Sequence, residues 1–137
     1  MSAGPPRSSP GELPPAAILL GRRLLSLDRE RAEATLEFVA KPEFSNRHGA
    51  VQGGILAAML DSATGVVVTA SLPPGRTAVT VQLNTSFLKP APIGPLRATA
   101  RIISLDDRNA EVEAEIAGPD ETVVARAAAR LRILIRK

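Results

Sequence analysis

The sequence predicts an α+β domain in which one antiparallel sheet curls around a single apolar helix. Three observations carry this. A long apolar run from Gly53 to Ala70 reads as a helix. Strand-like segments flank it, two before and four after. The connections between the later strands are short turns, which antiparallel pairing allows and parallel crossovers do not. The 137 residues suit one domain, and the 45% hydrophobic and 23% charged content is that of a globular chain.

Residues 1–15 contain Pro5, Pro6, Pro10, Pro14 and Pro15 with Gly and Ser between them. Such a stretch buries too little apolar surface to offset its ordering entropy, so a flexible tail is expected, followed by a domain over residues 16–137. The tail lacks the unbroken apolar stretch of a signal peptide, which makes a cytoplasmic location the default expectation. Ile18–Leu27 reads as the first strand. In Ala32–Ala40, Ala34, Leu36, Phe38 and Ala40 share a face with Ala32, while Glu33, Thr35 and Glu37 take the other. Pro42 ends that strand, and Lys41–Ala50 reads as a loop holding Asn46, His48 and Gly49.

The helix Gly53–Ala70 carries Ile55, Leu56, Met59, Leu60, Ala63, Val66 and Val67 around most of its circumference, so burial on nearly all sides is expected. Pro73, Pro74 and Gly75 stop it. Its length is near the lower limit for crossing a membrane. Asp61 at its centre and the amphipathic strands around it argue for a core helix and no membrane.

In the next strand Thr77, Val79, Val81, Leu83, Thr85 and Phe87 are expected on one face. Leu96, Ala98, Ala100 and Ile102 share a face of the following one. Ala110, Val112, Ala114 and Ile116 point inward on the third, with Glu111, Glu113 and Glu115 outward. The last strand turns Val123, Ala125, Ala127, Ala129, Leu131, Ile133 and Ile135 inward. Turn signals at Pro90–Pro95, Asp106–Asn109 and Gly118–Asp120 separate them. Arg126, Arg130, Arg132 and Arg136 lie outward on the last strand, where their expected partners are Glu111, Glu113 and Glu115.

Composition excludes several chemistries. Cysteine is absent, which removes disulfides, thiolate metal sites and thiol nucleophiles. The single histidine, His48, cannot build a His-rich metal centre, and no metal or other cofactor is expected. The net charge of +3 comes without tryptophan, tyrosine or a basic run interleaved with aromatics, so no nucleic-acid partner is expected.

Asp61 is the strongest chemical signal, being the only charged residue between Gly53 and Leu72. A carboxylate in a buried helix must find a partner or a function. Its neighbours one turn away, Ala57 and Gly65, are small and leave room for a ligand; an arginine from another strand or subunit is the structural alternative. Gly53 and Gly54 open the helix. There the first N–H groups lack intrahelical acceptors and the dipole is positive, a setting for an anion or oxyanion. Asp61 lies eight residues beyond Gly53, about 12 Å along the axis. Groups acting on one carbonyl must each come within roughly 3 Å of it. If both act, Asp61 serves a site completed by a second copy of the chain.

Asn46-Arg47-His48-Gly49-Ala50-Val51-Gln52-Gly53-Gly54 followed by Asp61 resembles the loop-and-helix signature of hotdog-fold acyl-CoA thioesterases, of the phenylacetate-degradation and 4-hydroxybenzoyl-CoA thioesterase type. The likeness spans roughly Ala16 to Lys137 and takes in Thr77–Phe87 and Lys89-Pro90-Ala91. It implies a hotdog fold, a homodimer or a dimer of dimers, and hydrolysis of an acyl-CoA thioester to a carboxylate and free CoA. Carried onto this chain, it makes Gly53 the backbone donor to the thioester carbonyl and Asp61 the nucleophile or general base. Asn46 becomes the loop amide that holds substrate or the attacking water, and Thr80 a hydroxyl lining the pocket. Gln52 departs from the histidine found before the two glycines in many members, and His48 reads as an ordinary loop residue. Gln52, Gly54 and Gly65 complete the expected substrate surface. Lys89, Arg101 and Arg108 are the candidate partners for the CoA phosphates. Two alternatives are a non-catalytic acyl-CoA-binding module of the same fold, which could dispense with Asp61, and a hotdog dehydratase or hydratase, whose helix-region histidine has no counterpart here.

Overall fold

The computed structural model describes residues 12–136. Six strands form one antiparallel sheet in the order β1-β2-β4-β5-β6-β3. They are β1 (Arg23–Asp28), β2 (Glu33–Ala40), β3 (Arg76–Phe87), β4 (Gly94–Leu105), β5 (Asn109–Ala117) and β6 (Val123–Ile135). The central helix α2 (Gly53–Ser71) packs against β2 to β6, and a short helix α1 (Pro15–Leu19) precedes β1. This is the hotdog arrangement expected from the sequence.

The core forms where the inward faces of the strands meet one side of α2. Ala34, Leu36 and Phe38 from β2, Leu96 from β4, Ile116 from β5 and Leu131 from β6 close on Leu56, Met59, Leu60, Val67 and Val68, all buried. The 19-residue α2 is apolar enough to cross a membrane, with mean hydropathy 1.5, but this side of it is sealed by the sheet.

Four expectations are corrected. The first concerns the start of the domain. Residues 1–11 of the expected tail lie outside the described residues, and the expected strand Ile18–Leu27 is divided. Pro15 stands in the first turn of α1, where its missing N–H is no loss, and Gly21 ends the turn at φ +65° before β1 begins. A Cβ at Gly21 would stand 3.0 Å from the Val39 side chain, so both conformation and space call for glycine.

Secondly, α2 is not buried on all sides. Gly54, Ala58, Asp61 and Thr69 form an exposed stripe, with Gly65 half-buried among them. The sheet wraps one flank only. The residues on the open flank are small or polar, and of those expected in the core Ile55 and Val66 are only half-buried.

The third correction lies in β3. A bulge between Thr80 and Gln82 inserts Val81 as an extra residue and reverses the alternation. Ala78 and Thr80 pair with the inward-facing Ile133 and Leu131; beyond the bulge Leu83, Thr85 and Phe87 pair with Ala129, Ala127 and Ala125. Thr77 and Val79 therefore leave the face assigned to them.

The fourth is in β6. An irregularity beside Ile116/Ala117 buries Val124 in place of Val123, and Ile135 is exposed at the far end of the strand. The expected charge ladder on its outer face is partial: Arg130 donates to Glu111 at 2.7 Å, whereas Arg132 finds Asn109 Oδ1 at 3.3 Å and Glu113 meets Arg101 at 4.0 Å. Exposed pairs of this kind contribute about 1 kcal/mol or less.

Candidate active site

Asp61 sits midway along α2 on the open stripe, exposed rather than buried. Its partner is neither an arginine nor another acid: Thr80 donates its hydroxyl to Asp61 Oδ1 at 2.7 Å. The bulge at Val81 makes this contact available, because it turns Thr80 toward the helix. Among the described residues Oδ2 has no hydrogen-bond partner, which leaves it to accept a proton from water or to attack an electrophile.

A groove of about 650 Å³ runs along this side of the helix. Asp61, Thr80, Ser62, Thr69, Arg22 and the exposed Glu12 supply its polar groups. Ala58, Gly65, Val66 and Ala70 line it from α2, and Leu13, Ala17 and Leu20 from the segment ahead of β1. An added Cβ at Gly65 would meet nothing within 4 Å, so this glycine leaves the groove open. Arg22 Nη1 donates to Ser62 Oγ at 3.0 Å, and partial burial lowers the pKa of its guanidinium.

The helix start forms a second centre. Gln52 is the N-cap; its N–H donates to Phe44 O at 2.8 Å, its carbonyl accepts from Ile55 and Leu56, and its exposed side chain makes no capping bond. Among the described residues no group accepts from the N–H of Gly53 or Gly54. A Cβ on Gly53 would stand 3.4 Å from the Phe87 ring, so the end of β3 lies over this terminus, while Gly54 faces open space.

The loop before it is held by Asn46. Its Oδ1 accepts from His48 N at 2.9 Å and Ala50 N at 3.2 Å, and its own N–H donates to Ala50 O at 2.7 Å. These bonds form a side-chain-stabilised turn with Gly49 at φ +79°. The Asn46 oxygen is thus committed to the loop, leaving only its Nδ2 donors for a ligand. His48 is exposed.

Of the three candidate phosphate partners, Arg101 sits on β4 beside Glu113, and topology separates the other two. Lys89 follows β3 and donates its N–H to Val124 O, at the same end of the sheet as Gly53. Arg108 lies in the β4–β5 turn, and its carbonyl accepts from Ile133 near the end of β6. Within one chain these cations do not converge. Nor do Asp61 and Gly53, since the helix between them is continuous and the separation of about 12 Å stands.

Sequence reasoning missed Arg22 and Ser62. Within the expected strand Ile18–Leu27 nothing in the sequence singles Arg22 out; the turn at Gly21 is what points it back toward α2.

β3 is a twelve-residue edge strand, paired on one side with β6. Val79 and Val81 are 45% and 55% exposed along it. An uncovered apolar edge of this length invites pairing with another strand.

A family model described as Thioesterase superfamily matches residues 48–125, which include Gly53, Asp61, Thr80, Lys89 and Arg108 but not Arg22 or Asn46. Among solved structures, the chain is similar to a candidate thioesterase of Ralstonia eutropha JMP134, a phenylacetic acid degradation-related protein. The two are 38% identical over 89% of this chain and 92% of that one, with a TM-score of 0.86. A protein of Bacillus halodurans crystallised with CoA is 30% identical, covering 86% of this chain and 74% of its own, with a TM-score of 0.74. A candidate esterase of Saccharolobus solfataricus is 28% identical over 111 residues, 81% of this chain and 79% of that protein.

Proposed function

The chain belongs to the thioesterase superfamily, and from that premise we propose that it hydrolyses an acyl-CoA thioester to free CoA and a carboxylate. The observation that carries this reading is the placement of Asp61. It stands exposed in a groove, one oxygen held by Thr80 and the other without a partner among the described residues. The CoA-bound relative supports the thiol half of the substrate.

In the proposed reaction the thioester carbonyl accepts from Gly53 N–H at the positive end of α2, where the developing oxyanion is stabilised. Asp61 takes a proton from water, whose oxygen adds to the carbonyl carbon. Alternatively its carboxylate adds directly, and water then cleaves the resulting anhydride. In the first course the carbon–sulfur bond breaks as Asp61 passes its proton to sulfur and CoA leaves as the thiol; in the second CoA leaves as the thiolate and takes its proton from the water that cleaves the anhydride. Gln52 and Gly54 flank the carbonyl, and Asn46 Nδ2 offers a donor to substrate or water.

The two centres belong to different subunits in this reading. Two copies pair through β3, which carries Thr80, and so bring Asp61 of one toward Gly53 of its partner. Lys89 and Arg108, apart within one chain, are then contributed to the nucleotide from two chains. A dimer of dimers is the larger assembly that the resemblance implies.

The direct test is thiol release from a panel of short, long and aromatic acyl-CoAs by the wild type and Asp61→Asn. Turnover by the wild type, reduced about 10²–10⁴-fold in the variant, supports the reading. Unchanged turnover in Asp61→Asn, or no thiol released from any member of the panel, overturns it.

A further inference from the structure

Arg22 has a position that the hydrolytic step leaves unexplained. It is half-buried in the Asp61 groove, and only Nη1 is engaged, by Ser62 Oγ at 3.0 Å. The Nε–Nη2 edge meets no acceptor among the described residues, and none of the ion pairs among them includes Arg22. Glu12 and Asp61 line the same groove, yet neither forms an ion pair with it, and residues 1–11 contain no Asp or Glu. A partly desolvated guanidinium without a direct ion-pair partner is unfavourable, and its free edge has the planar fork that matches a carboxylate in bidentate fashion. The walls around it are mostly apolar, Leu13, Ala17 and Leu20 on one side and Ala58, Gly65 and Val66 on the other, with the exposed Glu12 beside Leu13.

Resting on the thioesterase reading, we propose that Arg22, oriented by Ser62, selects acyl groups that end in a carboxylate, so that the preferred substrates are CoA monothioesters of short dicarboxylic acids. Arg22 binds the distal carboxylate, and Ser62 is a positioning residue. Ser62 directly follows Asp61 in the helix, so a short spacer separates the reacting carbon from the guanidinium. Asp61 and the exposed Glu12 would repel an anionic acyl chain from this groove; Arg22 is the cation among its described lining residues that can hold one. An alkyl chain of the same length would leave the cation unpaired.

The test compares succinyl-, glutaryl- and adipyl-CoA with butanoyl-, pentanoyl- and hexanoyl-CoA, matched in carbon number. Selectivity is the ratio of kcat/KM within each pair. The wild type is expected to favour the carboxylated member. Arg22→Gln should lower the ratio about 10- to 100-fold, the range for loss of a charge-assisted bidentate contact. Ser62→Ala should lower it by less, and Arg22→Lys should restore part of it. A role of Arg22 in folding or in the basicity of Asp61 would move both members of a pair in parallel and leave the ratio unchanged; that result overturns the proposal. So does a wild type that favours the alkyl member, which needs no variant to fold. Calorimetric binding of glutaryl-CoA and pentanoyl-CoA to Asp61→Asn, with and without Arg22→Gln, reads the same selectivity without turnover. Carboxylate-selective binding with no turnover by the wild type defeats the hydrolase reading and leaves this inference standing. Equal binding of the two defeats the inference, whatever the turnover.

Discussion

Thr80 donates to Asp61 Oδ1 across 2.7 Å, which ties the edge strand β3 to the middle of α2 on the side of the helix left open by the sheet. The bond orients one carboxylate oxygen and leaves the other for chemistry. Thr80→Val keeps the shape and removes the donor. Its kcat/KM should fall about 10-fold, the scale for losing a hydrogen bond to a charged group, whereas Thr80→Ser should retain most activity. Steady-state thiol release measures both.

Gly53 occupies the first turn of α2, where proline is well tolerated because its missing N–H has no intrahelical partner. Gln52 ahead of it has φ −57° and ψ 134°, an extended conformation compatible with a following proline. Gly53→Pro is therefore expected to fold with a Tm near wild type. It should lose about 10²–10³-fold in kcat, since it deletes one oxyanion donor and little else. A folded variant with full activity would take Gly53 out of the mechanism.

The division of one site between two subunits predicts complementation. Asp61→Asn and Gly53→Pro should each be nearly inactive alone. Mixed and allowed to exchange subunits, they form heterodimers in which one of the two sites is intact, so activity should return to about a quarter of wild type. If each site lies within a single chain, mixing restores nothing.

Two turns give the fold an acid-sensitive component. Asp106 Oδ1 accepts from the N–H groups of Arg108 and Asn109, both at 2.8 Å, and Asp120 accepts from the N–H and hydroxyl of Thr122. These bonds hold both carboxyls below the ordinary value of 3.8. The folded state thus binds protons less readily than the unfolded chain. The contribution is present above about pH 3.8 and is lost as acid protonates the folded carboxylates. Thermal melts should show Tm falling below that pH, and the double variant Asp106→Asn/Asp120→Asn should lose less over the same range.

Packing energy is concentrated on the sheet-facing side of α2. Leu60 is fully buried, so Leu60→Ala should destabilise by about 2–5 kcal/mol in denaturant unfolding. Ala58→Ser, on the exposed stripe, should shift stability by less than about 0.5 kcal/mol.

The fold was readable because polar and apolar residues alternate cleanly where β2, β5 and β6 have one wet face. Glu111, Glu113 and Glu115 mark that face without ambiguity. Asp61 and Gly53 stood out for a similar reason: a charge inside an apolar helix and paired glycines at its start are both locally improbable. Three features were hidden. Ile18–Leu27 is as apolar as a strand, and nothing short of the backbone at Gly21 shows that a helical turn occupies its first half. Hydrophobic counting treats alanine and glycine as core formers, so the open stripe of α2 could not be distinguished from its packed side. The bulge in β3 leaves no periodic trace, because Val81 fits a strand equally well whether it is paired or extra.

That single extra residue is a surplus link in the ladder. The partners of Thr80 and Gln82, Leu131 and Arg130, are already consecutive, so deleting Val81 would leave Thr80, Leu83, Thr85 and Phe87 on their present face and in their present register. The acid would keep its hydroxyl support, and what would vanish is the apolar side chain that Val81 holds 55% exposed on the free edge. A one-residue deletion in a strand ordinarily turns the side chains beyond it over; here it would strip the outer edge and leave the interior intact.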